Sequence, residues 1–278
     1  MRRGRWLVAL AAMIVGTASL VAVSPWAGGA TSVPFPNSMA AAGDSITRAF
    51  GATWSRFLSD SPQYSWSTGN DTAVDSQYRR ILAANPAING HVYNHAMTGA
   101  KMVDLDGQVK AAAREQVQYL TVLMGANDVC APSAATMTAT TTFRAEFSQA
   151  LSDFFAADPG AHVFVSSIPN LSQLWNTLHG SWTAEVTWRV AHICSSLLSR
   201  SNTAAARQAV ATREQADNAA LASVCSEHPR CRWDGYAVYH LSFTASDISR
   251  VDHLHPNAAG EHALAATTWA AGFWPTTR

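Results

Sequence analysis

Apolar residues along this chain follow two rhythms. Short unbroken runs occupy residues 39–42, 91–93, 117–124 and 162–168. Each is stopped by glycine, asparagine or proline, at Gly43, Asn94, Gly125 and Pro169. Such runs predict buried strands. Between them the spacing turns helical: Val74, Tyr78, Ile81 and Leu82 share one face over 73–84, a shorter helix fits 104–115, and a longer one fits 133–157. Helical character also follows Ser45 through Arg48, Phe50, Trp54 and Phe57-Leu58. A long helical region is expected over 182–224 with a break near 199–202, and a last helix over 256–269 with Pro256 in its first turn. Residues 59–71, rich in Ser, Gly, Pro and Asn, and residues 170–180 read as loops, and 233–239 reads as a final strand. The second loop is followed by a helix and is rich in leucine and tryptophan (Leu171, Leu174, Trp175, Leu178, Trp182), suited to holding an acyl chain. Strands alternating with helices predict an α/β domain with a mainly parallel sheet and helices on both faces. Ligands then bind at the carboxyl ends of the strands.

Composition narrows the class. The chain has 278 residues, 48% hydrophobic and 14% charged, enough to build one sizeable core. Formal net charge is zero, and past the N-terminus there is no basic run to serve as a nucleic-acid footprint. Neither an obligate protein partner nor an oligomer is indicated, so a monomer is expected. Arg2, Arg3 and Arg5 precede an apolar stretch over 6–23, followed by Pro25 and the small residues 27–30. This is the pattern of a secretory signal peptide over 1–30; a retained membrane anchor is the rival reading. A linker over 31–37 then leads into a single domain over 38–278. The expected location is extracellular.

Four cysteines fit an exported protein. Cys225–Cys231 would close a short loop containing Pro229, leaving Cys130–Cys194; four cysteines allow three connectivities. No C-x-x-C spacing supports zinc.

Candidate chemistry collects at the predicted strand ends. Gly43-Asp44-Ser45 follows the first strand, Asn94 to Gly99 the second, and Gly125-Ala126-Asn127-Asp128 the third; Asp252-His253-Leu254-His255-Pro256 precedes the last helix. Read alone, the first tripeptide is a glycine turn with an Asp or Ser cap. Threonine at position 47 rules out the G-x-S-x-G elbow. Together the four blocks resemble the GDSL/SGNH hydrolases, in order and over nearly the whole mature chain. Residues 64–67, 125–130 and 243–252 also resemble the secreted, phospholipase-B-like branch.

The resemblance implies a three-layer α/β/α sandwich, flavodoxin-like, with no metal or other cofactor. It implies Ser45 as nucleophile, His255 as base and Asp252 as the acid that orients it. The backbone N–H groups of Ser45 and Gly99 and the side-chain amide of Asn127 would form the oxyanion hole. The chemistry is coherent: serine attacks an ester only when a neutral imidazole takes its proton. The expected activity is hydrolysis of carboxylic esters, lipid or phospholipid ahead of acetylated sugar. The alternatives are a carbohydrate acetyl esterase and an exported binding module with a dead site.

Other residues carry plainer expectations. His253 and His255 beside Asp252 invite a metallohydrolase reading, which the serine blocks outweigh. His253, His95, His240 and His262 are read as structural or surface histidines. Asp44 and Asp128 are read as turn carboxylates. Trp175 is open between a groove wall and the core, while Trp182 and Trp188 are expected in the core.

Overall fold

The computed structural model describes Met1 and residues 33–275. The expected signal segment beyond Met1, and the start of the linker, lie outside the described residues. Five strands, β1 (Met39–Gly43), β2 (Val92–Asn94), β3 (Tyr119–Leu123), β4 (His162–Val165) and β5 (Cys231–Trp233), form one sheet in the order β2-β1-β3-β4-β5. Every pairing is parallel. This is the flavodoxin-like order, with helices on both faces.

Along the chain the helices are α1 (Gln77–Ala84), α2 (Leu105–Arg114), the short α3 (Ala126–Val129), α4 (Thr140–Ala157), α5 (Leu171–Leu178), α6 (Trp182–Val190), α7 (Ser195–Leu198), α8 (Ala204–Ser226) and α9 (Ala258–Ala271). On one face α2, α4 and α8 pack on the sheet through Leu105, Val109, Phe143, Phe147, Phe154 and Leu221. Fully burying each large side chain contributes about 1.5–3 kcal/mol. On the other face α1 and α9 pack with Trp66, Tyr119, Ile81 and Leu264. A third cluster, Leu171, Leu174, Trp188, Leu197 and Ile248, unites α5, α6 and α7. Two disulfides, Cys130–Cys194 and Cys225–Cys231, tie this framework. No helix among the described residues is long and apolar enough to cross a membrane.

Several elements differ from the sequence pattern. The segment after Ser45 forms turns and only a short 3-10 helix at Trp54–Arg56, because Ala49 and Gly51 take positive φ (49° and 62°) and bend the chain back. Residues 171–178 are helical where a loop was expected; the Asn170 side chain accepts from Gln173 N (3.2 Å) and starts the helix. Helix α4 begins at Thr140, since the residues from Ser133 to Thr136 close a separate short turn. The region 182–224 breaks twice: once at His192 and Cys194, both left-handed, and again before Thr203 caps α8.

The last strand stops at Trp233 because Asp234 turns the chain, its carboxylate accepting from Tyr236 N and Val238 N (2.9 and 3.0 Å). Pro256 lies outside α9, whose cap is Asn257, accepting from Ala259 N and Gly260 N. Trp182 is exposed where core was expected, because it opens α6 on the solvent side; Trp188, further along, is buried.

Polar side chains of α8 hold the chain beyond β4. The Asn218 side chain grips both backbone groups of Ile168 (2.8 and 3.3 Å), and the Glu214 carboxyl accepts from Leu171 N (3.1 Å). Burial pushes Glu214 up to about 8 and Asp217 up to about 6. A carboxyl raised in the fold binds its proton more tightly there than in the unfolded chain. The stability linked to Glu214 is therefore full below its unfolded value near 4.5 and declines as pH rises through about 8. Thermal melts of Glu214→Gln, which keeps the acceptor for Leu171, should match the parent near pH 5 and exceed it near pH 9. An unchanged pH slope would refute the assignment.

Candidate active site

The site is assembled at the carboxyl edge of the sheet. β1 ends at Gly43, whose φ is +155°. A Cβ built there would lie 2.5 Å from both Leu123 O and Thr47 Oγ1, so only glycine lets the chain leave the sheet at this point. The Gln108 side chain, buried in α2, accepts from Gly43 N (2.7 Å) and donates to Gly43 O (3.0 Å). Gly43 O also accepts from Met97 N (3.1 Å), which joins the first loop to the second. Asp44 is fully buried; its Oδ1 accepts from Ile46 N (2.9 Å), an Asx-type turn that presents Ser45.

Ser45 lies beside His255 although 210 residues separate them: Oγ and Nε2 are 2.7 Å apart. His255 Nδ1 lies 2.6 Å from Asp252 Oδ2, and Asp252 Oδ1 accepts from Leu254 N and His255 N (2.9 and 3.1 Å). Burial pushes the Asp252 carboxyl up, but the His255 bond and charge and these two N–H groups outweigh it and hold it below its ordinary value. Both ring nitrogens of His255 are thus engaged, one by the acid and one by the serine. The loop is closed beneath them by the Ile248–Pro256 bridge and by Ser249 N donating to His255 O (2.8 Å). Phe50 packs on the imidazole at 5.1 Å between ring centres.

Asn127 lies on α3, and its Nδ2 donates to Ala100 O (2.9 Å). The amide has a second hydrogen for another acceptor. Gly99 takes φ +84° in a turn closed by Ala100 N donating to Met97 O (3.0 Å), the third position of a turn that favours glycine. Asp128 is tied to the second loop through Met102 N (3.0 Å). A cavity of about 240 Å³ opens beside Ser45, Asn127 and His255, walled by Leu171, Leu174, Ile193, Phe243, Ile248 and Leu254.

The model of the GDSL-like lipase/acylhydrolase family matches residues 41–263. The chain belongs to that family. Solved structures are similar in fold. A lipase from a goat rumen metagenome superposes with a TM-score of 0.54 at 14% identity, covering 85% of this chain and 97% of that one. A protein described as a GDSL-like lipase, from Parabacteroides merdae ATCC 43184, gives 0.52 at 14%, covering 84% and 94%. Phospholipase A1 from Streptomyces albidoflavus NA297 gives 0.49 at 18%, covering 86% and 96%. At such identities the likeness is one of fold. No curated protein sequence matches the chain.

In this GDSL-like chain the other histidines stand apart from Ser45. His95 Nε2 pairs with Glu115 (2.7 Å), His262 Nδ1 meets Val74 O (2.9 Å), and His240 packs among Tyr236 and Tyr239. The backbone carbonyl of His253 accepts from Trp188 Nε1 (3.0 Å), so a buried tryptophan of α6 steadies the histidine loop. Trp175 carries the Arg207 guanidinium on its ring at 3.6 Å and does not wall the cavity. Among the described residues, no group of three or more His, Cys, Asp or Glu is arranged to hold a metal.

Sequence reasoning missed Gln108 and Trp188 as supports of the site. The available signal for Gln108 was a polar residue on the helix face that also carries Leu105, Val109 and Ala112. Gln108→Leu would take this acceptor from the buried Gly43 N–H, costing about 1–3 kcal/mol, while Gly43 O would keep Met97 N. Below its melting temperature, Gln108→Leu should lower kcat on the order of 10²-fold through misplacement of Ser45, with KM nearly constant. Unaltered kcat in a folded variant would show that the clamp does not position the serine.

Proposed function

We propose that this protein is an exported serine ester hydrolase that cleaves apolar acyl esters, lipid or phospholipid ahead of acetylated sugar. The observation that carries the reading is the hydrogen-bonded line Ser45–His255–Asp252 opening onto an apolar cavity. His255 takes the proton of Ser45 as Oγ attacks the ester carbonyl. Asp252 holds the imidazole in the right tautomer and stabilises its cation. The oxyanion of the tetrahedral intermediate is received by the N–H groups of Ser45 and Gly99 and by the second amide hydrogen of Asn127. Each such donor commonly contributes about 3 kcal/mol to barrier lowering. His255 then protonates the departing alcohol, and water activated by the same imidazole releases the acid and frees Ser45. Export is supported by the N-terminal pattern and by two disulfides.

The cavity supports an acyl chain in particular. Its volume falls below the roughly 300–1,000 Å³ of ordinary ligand pockets, and leucine, isoleucine and phenylalanine supply its large apolar side chains, beside a few polar groups such as Gln173 and Thr177. An acetyl group would leave most of that apolar wall unused, whereas a longer chain would cover it.

A fluorophosphonate should label the parent protein and leave Ser45→Ala unlabelled; labelling at another serine defeats the assignment. His255→Ala and Asp252→Ala should each reduce kcat far more than they raise KM, and their double variant should be little worse than His255→Ala alone. An equal loss in His253→Ala would move the base to that residue.

The substrate is tested separately, by kcat/KM across acyl lengths. Each methylene buried is worth about 0.8 kcal/mol, or about fourfold, so activity should climb from acetyl towards octanoyl until the cavity is full. Leu174→Trp should shift the optimum to shorter chains. Strong preference for acetyl, with turnover of acetylated xylan, would replace the lipid reading by the sugar-ester one.

A further inference from the structure

Large apolar side chains exposed singly are ordinary, whereas a contiguous patch marks a contact surface. Among the described residues eight large hydrophobics are exposed, and five of them, Trp54, Phe57, Leu58, Met97 and Val103, fall on two loops of the site. Their exposures run from 51% to 66%. Asp60 binds the two loops together: its Oδ2 pairs with Arg48 Nε (2.8 Å) and its Oδ1 accepts from Thr98 Oγ1 (2.5 Å). Phe57 and Leu58 therefore lie two or three residues from this junction on one side, and Met97 one residue from it on the other. The Trp54 and Phe57 rings stack with centres 5.9 Å apart and planes 3° from parallel, so they form one apolar plate. Trp54 lines a hollow with Ser249 and Val251 of the histidine loop, and Phe50, four residues earlier, packs on His255, so the plate adjoins that loop.

We infer that this plate is a docking surface for a phospholipid layer, which brings Ser45 to esters still held in the layer. The proposal deepens the lipid-esterase reading and rests on it for the source of the substrate. The occupant is argued from charge as well as from apolar area. Arg56 lies between the two stacked aromatics in sequence, is exposed, and has no salt bridge among the described residues. An exposed arginine flanked by tryptophan and phenylalanine matches a layer boundary: the rings enter at headgroup level while the guanidinium meets phosphate. The fold itself does not call for these side chains, since they lie outside the three packed clusters.

The test separates docking from hydrolysis. Full-length mature protein carrying Ser45→Ala is mixed with vesicles of phosphatidylcholine, with and without phosphatidylglycerol, and bound protein is measured by flotation. Binding to both is expected, stronger and salt-sensitive on the anionic vesicles. Trp54→Ser with Phe57→Ser should reduce binding at least tenfold. In an active background the same pair should leave hydrolysis of a dissolved short-chain ester and the melting temperature unchanged. Arg56→Gln should remove only the extra binding to anionic vesicles. No vesicle binding, or binding undiminished in the double variant, overturns the proposal while leaving the esterase reading standing. Dimerisation abolished by the double variant would also overturn it, since the plate would then join two copies of the chain. Binding without any ester hydrolysis by the Ser45 parent would instead overturn the esterase reading.

Discussion

The side-chain amide of Gln108 grips the Gly43 peptide from both sides, and the rest of the site is arranged around that grip. β1 is the buried strand flanked by β2 and β3, and its backbone must leave the sheet where no water can satisfy it. One amide supplies both a donor and an acceptor at that point. The exit is then fixed in space, and two residues later the chain presents Ser45. Asn218 performs the same service for Ile168 beyond β4. Helices on one face of the sheet thus use buried amides to hold the loops that leave its edge.

From this anchor the loops support one another. Met97 reaches Gly43, Asn127 reaches Ala100, and Asp128 reaches Met102, so the serine, glycine and asparagine loops form one hydrogen-bonded unit. The Cys130–Cys194 disulfide extends that unit to α7, joining the end of the Asn127 helix to the wall of the apolar cavity. The proposed oxyanion donor and the proposed acyl site are therefore mechanically linked. The histidine loop is held by its own bridge and by Trp188 from α6, and Ser249 Oγ donating to Gly51 O ties it to the loop that follows Ser45.

Burial beneath the serine turn has an electrostatic consequence. Burial pushes Asp44 up to about 6 and Glu261 well above the ordinary carboxylate range. Glu261 accepts from Trp66 N (2.8 Å), tying α9 to the segment before α1. These acids, with Glu214, tie several parts of the fold to their protons, whereas Asp252, facing His255, is held ionised. Similar side chains differ here because Asp252 bonds His255 directly and accepts from two backbone N–H groups, which together outweigh its burial, whereas burial dominates the backbone N–H bond that each of the others accepts.

The strand runs, the α/β class and the four blocks are legible in the residue order alone, because apolar runs and glycines at strand ends are local signals. That order also placed Ser45, Asn127, Asp252 and His255 at one edge, since parallel strands present their carboxyl ends together. Tertiary structure decided what depends on distant partners. Residues 171–178 are short and partly polar, and they become a helix because Asn170 caps them and the third packed cluster takes Leu171, Leu174 and Leu178. The stretch after Ser45 had helical spacing, yet Asp60, Arg48 and Thr98 draw it into a loop that leaves its aromatics in water. Trp182 and Trp188 share one helix and one residue type, and only packing against the histidine loop made one structural and left the other exposed. Gln108 and Gly43 are 65 positions apart, and no local pattern records that an amide will meet a strand end once the sheet has formed.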